Sequence, residues 1–255
     1  MAPKISVFIA LYNSEKYIRA AIESALGQTI SDFKICVYDD GSSDRSASIV
    51  KELAQEFPNK IKLCQGKKNK GAIYAYNAAM RMCTGTYMAQ LDSDDILFPT
   101  ALEKLAAVLD MHPKIGLVCS DYEYINSKGD FYAPGVYSKD ISDDELKKMM
   151  LNKTCAVYHL RMFRRGLLAQ IPSWCTEPHR LCADYDLYVK MAEVTMVRKV
   201  PEVVYQQRWH ETNISHQQTA QQLSARLVQL QSARRRLQRI AVSLPGESIY
   251  KGRFK

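Results

Sequence analysis

The chain of 255 residues contains nothing close to the ~18 consecutive apolar side chains of a membrane-crossing helix, although 47% of it is hydrophobic. Its amino terminus, Met1-Ala2-Pro3-Lys4-Ile5, enters a strand pattern without the apolar core of a signal peptide. Cytoplasmic synthesis is the expectation. Seven cysteines, an odd number, include no Cys-x-x-Cys pair, and several stand inside apolar runs, as buried reduced thiols do. Cys175, His179 and Cys182 offer three zinc-type ligands without a clear fourth. There is no Gly-x-Gly-x-x-Gly and no Walker loop, so neither a dinucleotide enzyme nor a P-loop NTPase is supported. Zinc-finger spacing, RNP-like strands and aromatic-interleaved basic patches are also missing from the body, which argues against nucleic acid as a partner.

The net charge of +8 is unevenly placed. Residues 217–255 hold eight Lys or Arg against the single acid Glu247, leaving the first 216 residues close to neutral. The expected division is a catalytic domain over 1–216 and a basic amphipathic helical tail over 217–255. Leu223, Leu227, Leu230, Arg234, Leu237, Ala241 and Leu244 recur at spacings of four and three, a heptad-like seam. Such a helix can pack on the body or on a partner helix. It can also lie on the inner face of an acidic membrane through Arg234, Arg235, Arg236 and Arg239, or remain solvated.

Short apolar strands alternate with amphipathic helices along the first half. Strands are expected at Ile5–Leu11, Lys34–Tyr38, Ile61–Cys64, Tyr87–Leu91 and Ile115–Ser120. Helices are expected from an N-cap at Ser14 to Leu26, then over Asp44–Glu56, Gly71–Met82 and Thr100–Met111. This is the pattern of an α/β fold, a Rossmann-like, mostly parallel sheet flanked by helices. Ligands of such sheets sit beyond the carboxyl ends of the strands. Three polar clusters fall at those ends: Tyr12-Asn13, Asp39-Asp40-Gly41-Ser42-Ser43-Asp44, and Asp92-Ser93-Asp94-Asp95.

Three carboxylates within four residues repel one another, and a strand ending in them calls for a cation. The tetrad therefore reads as a metal and diphosphate site; the plainer alternative is an acidic turn, with Asp95 only opening the turn that follows. Asp39 can accept from a base or ribose hydroxyls and Tyr12 can stack on a base. Asp44 also reads as the cap of the following helix, and Gly41 as turn chemistry.

In this order the blocks Ile5 to Asn13, Tyr38 to Asp44, Asn69-Lys70-Gly71 with Asn77-Ala78-Ala79, and Gln90 to Asp95 resemble the family-2 inverting glycosyltransferases of GT-A fold. The likeness continues over Cys182-Ala183-Asp184-Tyr185-Asp186-Leu187 and Arg208 to Ser215. Within the family, Tyr158 to Phe163, Ala183 to Asp186 and Gln90 to Asp95 look like the second, glucuronosyl, transferase domain of bacterial chondroitin and hyaluronan synthases. The resemblance spans Ile5 to about Ser215; those synthases carry two transferase domains and this chain one.

The resemblance implies a UDP-sugar donor and a growing or lipid-linked glycan as acceptor, of capsule, lipopolysaccharide or another cell-surface polysaccharide. It places Tyr12 and Asp39 at uracil, and Asn69, Lys70, Asp92 and Ser93 in the donor site with Asp92 near ribose and sugar. Asp94 and His210 become ligands of Mn²⁺ or Mg²⁺, and Asp184 the catalytic base. Where the family has Glu-Asp, this chain has Ala183-Asp184. Asp186 is the rival base; residues two apart on a helix point different ways, so one of the pair faces the pocket. Asp184 as a helix cap, Lys70 and His210 as plain surface charges, and His159 and Arg161 as shapers of the sugar side or members of an ordinary helix salt bridge are the alternatives. Two other function classes stand against the transferase: a non-catalytic nucleotide-sugar-binding module and a metal-dependent nucleotidyltransferase.

Overall fold

The computed structural model describes residues 2–135, 141–152, 159–171, 173–176, 183–211, 228 and 230–236. The first half runs β1 (Ile5–Leu11), α1 (Ile18–Leu26), β2 (Phe33–Asp39), α2 (Ser46–Glu56), β3 (Ile61–Gln65), α3 (Ala72–Arg81), β4 (Tyr87–Gln90). The second adds β5 (Ile96–Leu97), α4 (Ala101–Met111), β6 (Ile115–Ile125), β7 (Phe131–Pro134), α5 (Asp143–Asn152), β8 (Arg161–Arg164), a 3-10 turn over Arg165–Gln170, α6 (Ala183–Val194) and β9 (Met196–Arg208).

β1 is apolar throughout because both of its faces are covered. Val7 and Ile9 join one core with Ile18 and Ile22 of α1 and Leu102 and Leu105 of α4. Phe8 points the other way into a second core with Ile73, Met80, Phe163 and Tyr188. α1 buries Ile18, Ala21, Ile22 and Ala25, one stripe at helical spacing. The sheet order is β3-β2-β1-β4-β8-β6-β9-β5, with β7 pairing to β6. β3, β2, β1 and β4 are parallel, so their carboxyl ends share one edge, with Leu11 beside Asp39 in register.

Beyond β4 the sheet is mixed. β6 extends five residues past the expected end at Ser120 and pairs in parallel with β9, while β8 slots antiparallel between β4 and β6. That puts Arg161 directly opposite Gln90.

Three helix starts differ from expectation. α1 begins at Ile18, not after Ser14, because Asn13 takes φ +49° and Ser14 N–H donates to Ser46 Oγ at 2.7 Å. α2 begins at Ser46 behind Arg45, and Asp44 lies one position further out. Asp44 still accepts from Ser46 N–H at 2.9 Å, and its second oxygen takes Glu15 N–H at 3.0 Å, so one carboxylate ties two loops. Asp184 sits inside the first turn of α6 and not before it.

The tail was expected to present Leu230 on its seam, but Leu230 is 68% exposed. Residues 230–236 are helical, and Ser232 is buried. Val228 packs on Tyr185 and Val189, and Arg235 forks onto Glu193 at 2.8 Å. Arg236 reaches the Leu151 carbonyl at 3.3 Å. The described contacts thus run over 228, 232 and 235, a helical face one step out of phase with the leucine seam, and two of the four arginines available for a membrane already bind the body. Among the described residues no helix is long and apolar enough to cross a membrane.

Gly41 matters for the site. Its φ is +75°, and an added Cβ would lie 2.7 Å from the Lys68 carbonyl carbon. Only glycine permits both the turn and the close approach. Gly41→Ala is expected to cost about 2–4 kcal/mol in urea denaturation. Gly27→Ala serves as the comparison: its φ is −78° and its nearest neighbour would be 3.4 Å away, so it should be neutral or stabilising by about 0.5 kcal/mol. Equal effects would show that the 66–71 loop does not depend on this approach.

Candidate active site

The acidic tetrad leaves the end of β4 and is gripped from three directions. Gln90 Nε2 and the Tyr76 hydroxyl each donate to Asp92 Oδ1 at 2.9 Å. The Tyr188 hydroxyl donates to Gln90 Oε1 at 2.7 Å, which fixes the amide's orientation. From β9, the Tyr205 hydroxyl accepts the Asp92 N–H at 3.3 Å and donates to Asp95 Oδ2 at 2.7 Å. Arg208 gives its N–H to Asp95 Oδ1 at 2.7 Å and its Nε to the Asp94 carbonyl at 2.8 Å.

Asp95 is therefore not a mere turn opener. It is 2% exposed and holds β9 against the tetrad. Burial pushes its carboxyl well above the usual range, helped by Asp94 and Asp92. Burial likewise pushes the Asp92 carboxyl up to about 6; the Arg161 guanidinium pulls it down, and Asp184 and Asp94 add to the rise.

Arg161 lies on strand β8, not on a helix, and is 5% exposed. Its Nη1 donates to Asp184 Oδ2 at 2.8 Å, its Nη2 lies 3.2 Å from His159 Nε2, and its guanidinium stands over the Tyr188 ring at 5.1 Å. Asp184 and Asp92 both act on this one cation. Asp184 keeps about a quarter of its side chain exposed. Asp186 is fully buried and takes Lys190 Nζ at 2.7 Å and Thr176 Oγ1 at 2.7 Å. Asp184 and Asp186 thus separate, one toward the tetrad and one into an internal ion pair.

Asp94 Oδ2 lies 2.8 Å from His210 Nε2, and the imidazole stacks on Tyr17 with centroids 4.9 Å apart. Ser93 Oγ is 2.8 Å from Ser14 Oγ, so the tetrad also touches the loop that follows β1. At the β2 end, Asp39 is buried and takes the Ser42 hydroxyl at 2.5 Å. Tyr12 is 45% exposed. Asp40 Oδ2 accepts Lys70 N–H at 2.8 Å and Gly71 N–H at 2.7 Å, which shapes the Asn69-Lys70 loop, and Asp40 Oδ1 has no partner among the described residues. Asn69 Oδ1 also accepts Gly71 N–H, at 2.8 Å. The Lys70 ammonium rests 4.2 Å from the centre of the Tyr74 ring.

Two donor sets can be weighed for a divalent ion. Asp92, Asp95 and His159 come within 4.8 Å of one another. Both Asp95 oxygens are already bonded, and the Arg161 guanidinium faces His159 Nε2, so that set opposes a further cation. Asp94 and His210 pair a carboxylate oxygen with an imidazole nitrogen, both side chains partly exposed. This donor chemistry fits Mn²⁺ or Mg²⁺. Of the possible zinc ligands, Cys175 is buried, while His179 and Cys182 lie outside the described residues, as do Tyr158 and 212–215.

Tyr76, Tyr188, Tyr205 and Tyr17 belong to the site without having been singled out from sequence. Gln90 offered a signal, being the one amide in the apolar run of β4. The tyrosines offered none, since their roles depend on chain-distant partners.

The model of the family described as "Glycosyl transferase family 2" matches residues 6–171. Chondroitin synthase of Escherichia coli is 33% identical over 213 residues, covering 84% of this chain and 30% of that protein. Hyaluronan synthase of Pasteurella multocida is 29% identical over 218 residues, covering 84% of this chain and 21% of the relative. This chain thus spans less than a third of the length of either. Among solved structures, S. aureus TarS 1-349 superimposes with a TM-score of 0.65 at 21% identity, over 80% of this chain and 60% of that one. Mannosyltransferase PcManGT from Pyrobaculum calidifontis, solved with GDP-Man and Mn²⁺, gives 0.66 at 19% identity, over 92% and 65%. The fold is GT-A, as expected.

Asp95→Ala leaves the Tyr205 hydroxyl and the Arg208 N–H without acceptors, at an expected cost of about 2–4 kcal/mol. Asp95→Asn, which keeps an acceptor, should cost less than half as much in the same denaturant titration. Equal losses would mean that the anchor is not a hydrogen-bond acceptor.

Proposed function

The chain belongs to glycosyl transferase family 2, and from that premise we propose that it moves a sugar, with inversion, from a UDP-sugar to a hydroxyl of a growing glycan. The observation that carries this reading is Asp184, a partly exposed carboxylate held by Arg161 and acting on the same guanidinium as Asp92.

At the β1 and β2 ends, exposed Tyr12 stacks on uracil in this reading, and Asp39 accepts from the base or ribose. Asp92 and Ser93 face ribose and sugar; Asn69 and Lys70 close the donor side. Asp94 and His210 would hold Mn²⁺ or Mg²⁺. When bound, that ion supplies positive charge against the departing diphosphate.

Asp184 takes the acceptor's hydroxyl proton on the face opposite the diphosphate. The acceptor oxygen bonds to the anomeric carbon as the bond to UDP breaks, and the configuration inverts in one displacement. Arg161, bonded to one Asp184 oxygen, fixes the carboxylate's aim. The curated relatives are chondroitin and hyaluronan synthases. A cell-surface glycan, of capsule or lipopolysaccharide, free or lipid-linked, is accordingly the acceptor class we assign.

A second reading, nucleotide-sugar binding without transfer, draws on Ala183 where the family has Glu. Nucleoside diphosphate release from a panel of UDP-sugars and GDP-sugars, with Mn²⁺ and with EDTA, separates the two. Metal-dependent release of UDP supports transfer, while binding without release supports the second reading. Asp184→Asn should lower transfer by about 10²–10⁴-fold with UDP affinity retained. Retained turnover would remove Asp184 as base. Asp186→Ala should instead act on stability, by about 3–5 kcal/mol, because it removes the counter-charge of the buried Lys190 ammonium and leaves it only the neutral Ser173, Trp174 and Thr176 oxygens. A near-parental melting temperature for that variant would contradict the internal role given to Asp186.

A further inference from the structure

The stretch from Phe57 to Leu91 carries Lys60, Lys62, Lys67, Lys68, Lys70 and Arg81 and not one Asp or Glu. The fold gathers most of this charge, together with Lys34, on one side of the sheet. Phe33, Ile35 and Ile61 point into the first core and Cys36 into the second. Lys34 and Lys62 take the alternate positions of β2 and β3, and Lys62 pairs with Cys36, so both lie on the face that α3 covers. The Cys36 thiol registers them. A bond to Cys83 holds it below its usual range against the effect of burial, and the Lys62 and Lys34 charges lower it further.

The cations continue into a loop that is pinned in place. Gly66 N–H donates to the Asp39 carbonyl at 2.7 Å, the Lys68 backbone lies against Gly41, and Asp40 takes the Lys70 and Gly71 N–H groups. α3 completes the patch with Tyr74, which is 37% exposed and edge-on to Tyr38 at 5.7 Å. Its hydroxyl is lowered by bonds to Lys70 and Tyr38 and by the charges of Lys70 and Arg81, so cations from both ends of the helix act on one ring.

Lys34, Lys62, Lys67, Lys68, Lys70 and Arg81 are all exposed, and among the described residues none is paired with a carboxylate. By contrast, Arg19, Arg45, Lys104 and Arg198 each hold a Glu or Asp. Lysines on an edge strand discourage strand pairing, which accounts for Lys62 but not for Lys67, Lys68 and Arg81, which lie off the strand.

We propose that this face is a docking surface for an acidic membrane, whose anionic phospholipid headgroups neutralise the cations. Unmatched charge spread over two strands, a loop and a helix fits a broad anionic plane better than a point ligand. Tyr74 has the ring and hydroxyl that suit headgroup depth. The basic tail belongs to the same helical layer: α3 and α6 share the second core, and Val228 packs on α6 with Arg234 exposed. A plane can meet both basic regions at once. The surface does not depend on the transferase reading.

The full chain is sedimented with vesicles of phosphatidylcholine alone and with about 30% phosphatidylglycerol, at about 0.1 M salt. It should bind the second and not the first, and about 0.5 M salt should release it. Lys34→Gln, Lys62→Gln, Lys67→Gln and Lys68→Gln together should weaken binding at least about 10-fold with the melting temperature unchanged. Should that variant melt early, Lys67→Gln with Lys68→Gln, both in the loop, carries the same test at about 3-fold.

Equal binding to both vesicles, or none to either, overturns the surface, as does a fourfold variant that binds like the parent. Arg234→Gln, Arg239→Gln, Lys251→Gln and Arg253→Gln together serve as the comparison. Binding lost there and kept in the fourfold variant assigns the contact to the tail and overturns the face. Heparin or duplex DNA bound more tightly than the vesicles at equal salt would make the face a site for a polyanionic chain and overturn it as well.

Discussion

Four carboxylates, those of Asp92, Asp94, Asp95 and Asp184, gather at the end of one strand, and their mutual repulsion is the constraint that the surrounding structure answers. Like charges at such spacing oppose folding strongly once water is excluded. The molecule divides the problem. Asp95 is buried and fully bonded, Asp92 is loaded with two donors, Asp184 receives a guanidinium, and Asp94 faces an imidazole. Each solution comes from a different element: β9, α3 with β4, β8, and the residues just after β9.

That division explains why Arg161 is buried on the central strand β8. A cation there is too costly to leave without partners, and Asp184 on one side with Tyr188 beneath supply them. It also accounts for Gln90 within an otherwise apolar strand. A carboxamide has one donor group for Asp92 and one acceptor for Tyr188, so it links the tetrad to α6 without adding charge.

The sequence made the first half legible because its information is local. Alternating strands and helices, apolar spacing and polar strand ends located β1 to β4 and the helices between them to within a few residues. Helix starts were displaced where a side chain bonded across loops, as Ser14 and Asp44 do. The second half was harder, since β8 and β9 derive their partners from strands far away in the chain. Asp95 looked like turn chemistry because its partners, Tyr205 and Arg208, lie more than a hundred residues on. The tail's heptad seam showed that a helix was favoured but not which side it buries. That side is set by Tyr185, Val189 and Glu193 of α6, which Val228 and Arg235 meet out of phase with the leucines.

The insertion of β8 between β4 and β6 bears on how the chain comes to be active. β1 to β4 pair among near neighbours and can assemble early, as low-separation contacts do. The strand that completes the edge beside β4 arrives some seventy positions later, and the hydroxyl that anchors Asp95 later still. During vectorial synthesis the amino-terminal layer would thus stand formed with its acidic edge unbalanced and the proposed base absent. On the proposed reading, the donor end of the site is built from early, local pairings, and the base reaches it only through the late, long-range ones.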